Sequence, residues 1–155
     1  MHTTRAVASL RRMSHPRISA TDAQRLIQDE GYVYLDVRTE GEFAQGHPKG
    51  AYNIPIKLAV PQGMQDNPRF IEVAGATFDK QQKLIVGCKS GARSQVAAAA
   101  LIAAGFSTVS ELAAGYAGRR DAFGRPIEPG WEAAGLPHDT AAEAGHDYAT
   151  LSGKR

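Results

Sequence analysis

The stretch LIVGCKSGARSQVAAAALIAAG, residues 84–105, decides the fold. Leu84 to Val86 is a short apolar run rich in β-branched side chains, the pattern of a strand buried on both faces. It ends at Gly87-Cys88. A loop to Arg93 follows, and Ser94 to Ala104 reads as an Ala-rich helix closed by Gly105. Downstream, Val109 to Leu112 supplies a further strand. Upstream, Ser19 with Asp22 resembles a capping box for a helix over 20–30 that Gly31 stops, and Tyr32 to Val37 is a β-rich run. Thr39 with Glu42 repeats the cap and opens a brief helix ended by Gly46. Asn53 to Pro55 reads as a strand edge and Pro68 to Phe78 as an amphipathic helix. Strands separated by helical segments require crossover connections, so the expectation is an α/β fold with a central, mostly parallel sheet and helices on both faces.

The same stretch carries the chemistry. A cysteine at the carboxyl end of an apolar strand, followed by a tight loop and a helix, lies in the crevice where open α/β sheets bind ligands. Ser90, Gly91 and Ala92 are small, which lets the loop curl with its N–H groups inward, in front of the positive end of the helix. That field favours the thiolate of Cys88, the nucleophilic form. Lys89 and Arg93 add positive charge. Between Lys80 and Ser110 there are four cations (Lys80, Lys83, Lys89, Arg93) and no acid, so a positive local potential is expected.

Composition narrows the classes. At 155 residues the chain has the size of one domain with short tails, long enough to bury a core without staples. One cysteine excludes an intramolecular disulfide. No run approaches the roughly 18 apolar residues of a membrane span. The net charge of +2 arises from Arg5, Arg11, Arg12 and Arg17; without them 14 basic residues face 16 acidic ones. Basic character therefore belongs to a tail, and the body gives no case for nucleic acid. Residues 1–16 carry Arg, Ser and Ala without acid, the composition of a mitochondrial or plastid transit peptide. An ordinary unstructured N-terminus, or an over-long start with Met13 as initiator, is the preferred reading of them, and a cytoplasmic protein is the expectation. Residues 138–155 read as a loose tail, with His138 and His146 in solvent. A domain over 17–137 remains.

CKSGARS, residues 88–94, resembles the active-site loop of the rhodanese, or sulfurtransferase, family. LDVRTEGEFAQGHPKGAYNIP, residues 35–55, is similar to the family's upstream signature, and GYAG (115–118) with WEAAGLP (131–137) to its C-terminal one. The resemblance covers roughly residues 17–137 and is strongest to single-domain members. It implies a ping-pong transfer in which Cys88 takes the outer sulfur of an anionic donor such as thiosulfate as a persulfide. The sulfur then passes to cyanide, a thiol or a protein acceptor, with no metal or organic cofactor. Lys89, Ser90, Gly91, Ala92 and Arg93 hold the sulfur and the donor. The resemblance further implies that Asp36 orients Arg93 and that Arg38 pairs with Glu42 or lines the mouth.

Other residues read more simply. His47, between Gly46 and Pro48, is a structural cap, and Trp131 anchors the C-terminal segment. Two departures from the family stand out: Ala114 replaces a common glycine, and RRDAFGRPIEPG (119–130) is inserted, as a lid, an acceptor loop or a neutral excursion. A cysteine phosphatase or arsenate reductase is a rival reading, but its loop carries one residue more than the four of Lys89 to Ala92 between cysteine and arginine. A sulfur carrier or sulfide sensor is another.

Overall fold

The computed structural model describes residues 15–153. The elements run β1 (Arg17–Ile18), α1 (Ala20–Glu30), β2 (Val33–Asp36), α2 (Glu40–Gln45), β3 (His47–Pro48) and β4 (Tyr52–Asn53). A hairpin, β5 (Lys57–Val60) and β6 (Gly63–Asp66), leads to α3 (Phe70–Thr77), β7 (Leu84–Gly87), α4 (Ala92–Ala103) and β8 (Val109–Leu112). A second hairpin, β9 (Arg119–Arg120) and β10 (Pro126–Glu128), precedes β11 (His138–Asp139) and α5 (Tyr148–Leu151).

Five strands form the central sheet in the order β1-β8-β7-β2-β4, and every pairing in it is parallel. The most apolar strand, β7, lies at its centre. Alternation along it sends Leu84 and Val86 to one face, where they pack with Leu35, Val73, Leu101 and Phe106 under α3 and α4. Ile85 points to the other face and joins Ala23, Tyr34, Phe43 and Trp131 under α1 and α2. At Gly87 a Cβ would overlap the Tyr34 hydroxyl, so glycine leaves the room that the buried Tyr34 ring occupies there. Both sequence-read caps form. Ser19 Oγ accepts the Asp22 N–H, and Thr39 and Glu42 make a reciprocal capping box.

Two parts of the sequence reading are corrected. Residues 138–153 are not a loose tail. β11 pairs with β3, the Asn53 N–H donates to His146 O at 2.9 Å, and the His146 ring stacks on Tyr52 at 3.6 Å rather than facing solvent. Tyr148 is 4% exposed in the first core, its hydroxyl accepting from Asn67 Nδ2 at 3.0 Å. One aromatic side chain, fixed by the Asp147 cap, holds a segment whose average composition is that of a loop. The second correction concerns the other end. Arg17–Ile18 is an edge strand on β8, and Pro16 O accepts the Glu111 N–H at 2.8 Å, so the ordered body begins before residue 17. Of residues 1–16, on which the transit-peptide reading falls, 1–14 lie outside the described ones.

Candidate active site

Cys88 leaves the end of β7 with its side chain buried, 1% exposed. The Gly91 N–H donates to its sulfur at 3.1 Å and its S–H faces Ser94 Oγ at 3.4 Å. Among the described residues Gly91 is the one loop N–H that reaches Sγ itself, fewer than the several expected from the loop's composition. Gly91 is also the N-cap of α4 and provides no side chain, which leaves the first turn of a 12-residue helix without a side-chain cap.

The loop is held on both sides. Gly91 has φ +107°, and a Cβ there would stand 2.6 Å from Ala113 O and 3.0 Å from Arg17 Nη2. The Tyr116 and Ala117 N–H groups donate to Cys88 O (2.8 Å) and Lys89 O (2.9 Å). The left-handed turn that permits this is at Gly115, φ +66°, where a Cβ would lie 2.6 Å from Cys88 O. Ala114 is buried, and among the described residues no non-glycine has positive φ, so its departure from the family pattern leaves the turn intact.

The arginine partners implied by the resemblance are exchanged. Asp36 does not reach Arg93: it pairs with Arg38, whose Nη2 donates to Oδ2 at 2.7 Å and whose main-chain N–H donates to Oδ1 at 3.0 Å. Residues two apart on an extended chain point to the same side, which makes this the short-range solution. Arg38 also donates to Gly46 O at 2.7 Å and lies 4.5 Å above the Tyr116 ring. Burial works against its charge, but the Asp36 hydrogen bonds outweigh it and raise its pKa. Arg93 instead makes a two-pronged bridge to Glu42, 2.7 and 2.9 Å. Burial pushes the Glu42 carboxyl up, but Arg93 and the Thr39 N–H prevail and hold it at about 2. Arg93 thus ties the loop to α2.

A cavity of about 270 Å³ opens beside the loop, lined by Arg38, Glu42, Gly46, Lys89, Tyr116 and Glu132. Its walls are mixed in sign. The positive local potential expected from the sequence is offset at the site, where Glu42 pairs with Arg93 and a buried acid, Glu111, stands behind Ser94. Of the loop cations Lys89 keeps an exposed charge at the mouth. Burial and Glu132 push the Tyr116 phenol up to about 12, so it acts as a hydrogen-bond donor to Glu132.

His47 is structural as expected, buried, stacked on Phe43 and donating to Phe43 O at 2.7 Å. Trp131 is 1% exposed and donates to Pro137 O. The 119–130 insertion is a hairpin whose turn is fastened by Asp121 Oδ1, with Phe123 at its tip 82% exposed. Ser94, Glu111 and Arg17 escaped the sequence reading as site residues. The available signal was a lone acid inside the buried run Val109–Leu112. Among the described residues no group of three His, Cys, Asp or Glu side chains could hold a metal ion.

The family model for the rhodanese-like domain matches residues 19–121. The chain belongs to the rhodanese-like family. It is 41% identical over 109 residues to rhodanese-like domain-containing protein 17 of Arabidopsis thaliana, covering 67% of this chain and 69% of that one. It is 43% identical over 99 residues to thiosulfate sulfurtransferase 16, chloroplastic, of the same plant, covering 64% and 82%. Senescence-associated protein DIN1 of Raphanus sativus is 44% identical over 92 residues, and there the chain spans about half the relative's length, 50%. Several relatives are named chloroplastic and one mitochondrial. Among solved structures, Rv0390 of M. tuberculosis superposes with a TM-score of 0.70 at 26% identity, covering 83% of this chain and all of that one. A rhodanese-like domain from Anabaena gives 0.62 at 23% identity, which speaks to fold alone.

Proposed function

We propose that the protein is a sulfurtransferase carrying a sulfane sulfur on Cys88 from an anionic donor such as thiosulfate to a thiophilic acceptor. The observation that carries the reading is a lone thiol at the end of the central strand, with the Gly91 N–H on its sulfur and the start of α4 without a side-chain cap around it. Names of relatives such as thiosulfate sulfurtransferase 16 and 18 support the donor class.

In the first half-reaction the Cys88 thiolate attacks the outer sulfur of thiosulfate. A Cys–S bond forms, the donor S–S bond breaks, and sulfite leaves with its electron pair. The outer sulfur then stands about 2 Å beyond Sγ, toward the N–H groups of Lys89 to Arg93 that Sγ itself does not use. Those donors and the dipole of α4 favour negative charge on it. In the second half-reaction cyanide or a thiol attacks that sulfur, and the electrons of the Cys–S bond return to Cys88. Lys89 at the mouth attracts the anionic donor, whereas Arg93 acts as a brace between loop and α2. A protein thiol is a further candidate acceptor. We take the cytoplasm as the site of reaction, with chloroplast or mitochondrion the alternative that the relatives' names support.

Intact mass spectrometry and steady-state kinetics test this. Incubation with thiosulfate is expected to add one sulfur atom that cyanide removes, with turnover of thiosulfate and cyanide in the wild type. Cys88→Ser keeps the fold and loses at least about a thousandfold in kcat/KM. Loading without turnover would mark a carrier or sensor, and turnover of an aryl phosphate would favour the phosphatase reading. Activity of the variant within tenfold of the wild type, a bound the assay resolves at about 1.4 kcal/mol, sinks the role of Cys88.

A further inference from the structure

Behind the proposed nucleophile lies a buried relay that the sulfur-transfer reading does not use. Ser94 is fully buried, and its hydroxyl has one proton for three neighbours: Glu111 Oε1 at 2.9 Å, Gly91 O at 3.3 Å and Cys88 Sγ at 3.4 Å. Glu111 is itself fully buried, and its carboxylate also takes hydrogen bonds from His15 Nε2 (2.8 Å) and Arg17 Nη2 (3.3 Å). A hydroxyl donates preferentially to a nearby carboxylate, because the charge roughly doubles the strength of the bond. The shortest of the three contacts is also the ionic one.

We propose that Glu111 is a positioning residue that captures the Ser94 proton and so turns the Ser94 lone pairs toward Cys88. In that arrangement Ser94 accepts from the Cys88 S–H and has no proton to offer a thiolate. When Cys88 ionises, its proton leaves to solvent and the lone pairs face a charged sulfur, which disfavours the free thiolate. A persulfide escapes this penalty, since its charge sits on the outer sulfur, away from Ser94. Glu111 thereby biases the site toward the sulfur-loaded form. The titratable and charged groups around the relay are His15 and Arg17 on Glu111, Tyr34 beside Cys88 and, at the loop, Lys89 and Arg93, the last paired with Glu42.

This inference rests on Cys88 as the sulfur carrier, but its test reads the thiolate directly and stands apart from turnover. The thiolate ultraviolet absorbance of the sulfur-free protein is measured near neutral pH, with Cys88→Ser as blank. Glu111→Met removes the acceptor at similar volume; it leaves His15 and Arg17 without their partner, and loss of one member of a buried pair destabilises, so the fold of the variant is checked first by circular dichroism. It frees the Ser94 proton for the sulfur and is expected to raise the thiolate signal at least about twofold. In a Ser94→Ala background the same change is expected to lose half or more of that effect, as a charge acting alone would not. A wild type already fully thiolate, no rise in Glu111→Met, or a rise that survives mostly intact without Ser94 each overturns the proposal. If Glu111→Met does not fold, Ser94→Ala alone decides: a thiolate signal unchanged or raised supports the arrangement, and a lowered one means that Ser94 donates to the sulfur.

Discussion

The Cys88–Arg93 loop and the 119–130 hairpin are both short, glycine-containing connections that carry arginine, yet they are built on opposite principles. The cysteine loop has almost no internal hydrogen bonding and takes its shape from outside. Glu42 holds Arg93, the 116–117 main chain holds Cys88 and Lys89, and Arg17 and Ala113 close over Gly91. The hairpin holds itself, through Asp121 on its own N–H groups and Arg120 on Gly124 O at 2.8 Å, and leaves Phe123 in solvent. A loop shaped from four directions keeps its form, and the Gly91 N–H on the Cys88 sulfur, whether or not a ligand is present. A loop shaped by its own turn can vary in length and sequence without disturbing the sheet.

The sharpest break of that contrast is Gly91→Ala. A Cβ at φ +107° meets Ala113 O at 2.6 Å, so strain and overpacking add, and a loss of about 3 kcal/mol is expected. That corresponds to a Tm lower by roughly 10 °C in calorimetry, together with loss of sulfur loading. Next comes Glu42→Gln, which removes the charge that fixes Arg93 and is expected to cost about 1–2 kcal/mol. Its signature is in pH. The Glu42 pKa is lowered from an ordinary 4.5 to about 2, so the bridge contributes fully above 4.5 and is lost as pH falls toward 2. The stability difference between wild type and Glu42→Gln, from denaturant curves, should therefore shrink across that window; a constant difference would remove the bridge from the loop's supports.

The hairpin supplies the matched controls. Gly124→Ala also places a side chain at positive φ, +80°, but nothing lies within 4 Å. Only the left-handed backbone penalty remains, about 1 kcal/mol. Smallest of all, Phe123→Ser at the exposed tip should change stability by no more than about 0.5 kcal/mol. It leaves turnover with thiosulfate and cyanide unaltered if the hairpin is neutral, and a raised KM for one protein acceptor but not for cyanide would make it an acceptor loop.

The elements flanking the site were legible because each carries a local signal: the caps at Ser19 and Thr39, the apolar run of β7, the small residues after Cys88. The partners around the site were less so. Asp36 and Arg38 pair because alternation puts them on one side of a strand, a rule of adjacency that the family resemblance overrode. Glu42 was visible as a cap, but a carboxylate already engaged by Thr39 gives no hint in sequence that its remaining capacity is aimed at Arg93, 51 positions away. β1 has two residues, too few for any periodicity, and with it the meeting of Arg17 and Glu111 was hidden. Tyr148 was lost in the averaged polarity of its neighbours, although Asp147 followed by Thr150 is a cap signal of the same kind as the other two.

The two sides of the sheet are plugged late in the chain. Trp131 closes one and Tyr148 the other, while the match to the family model stops at residue 121. Anyone excising this unit as a portable part, for fusion to a partner enzyme or for display, would sever it at that border and leave an open socket beneath each layer of helices. The portable unit extends from His15, which touches Glu111, through Ser152, whose carbonyl is held by Arg69.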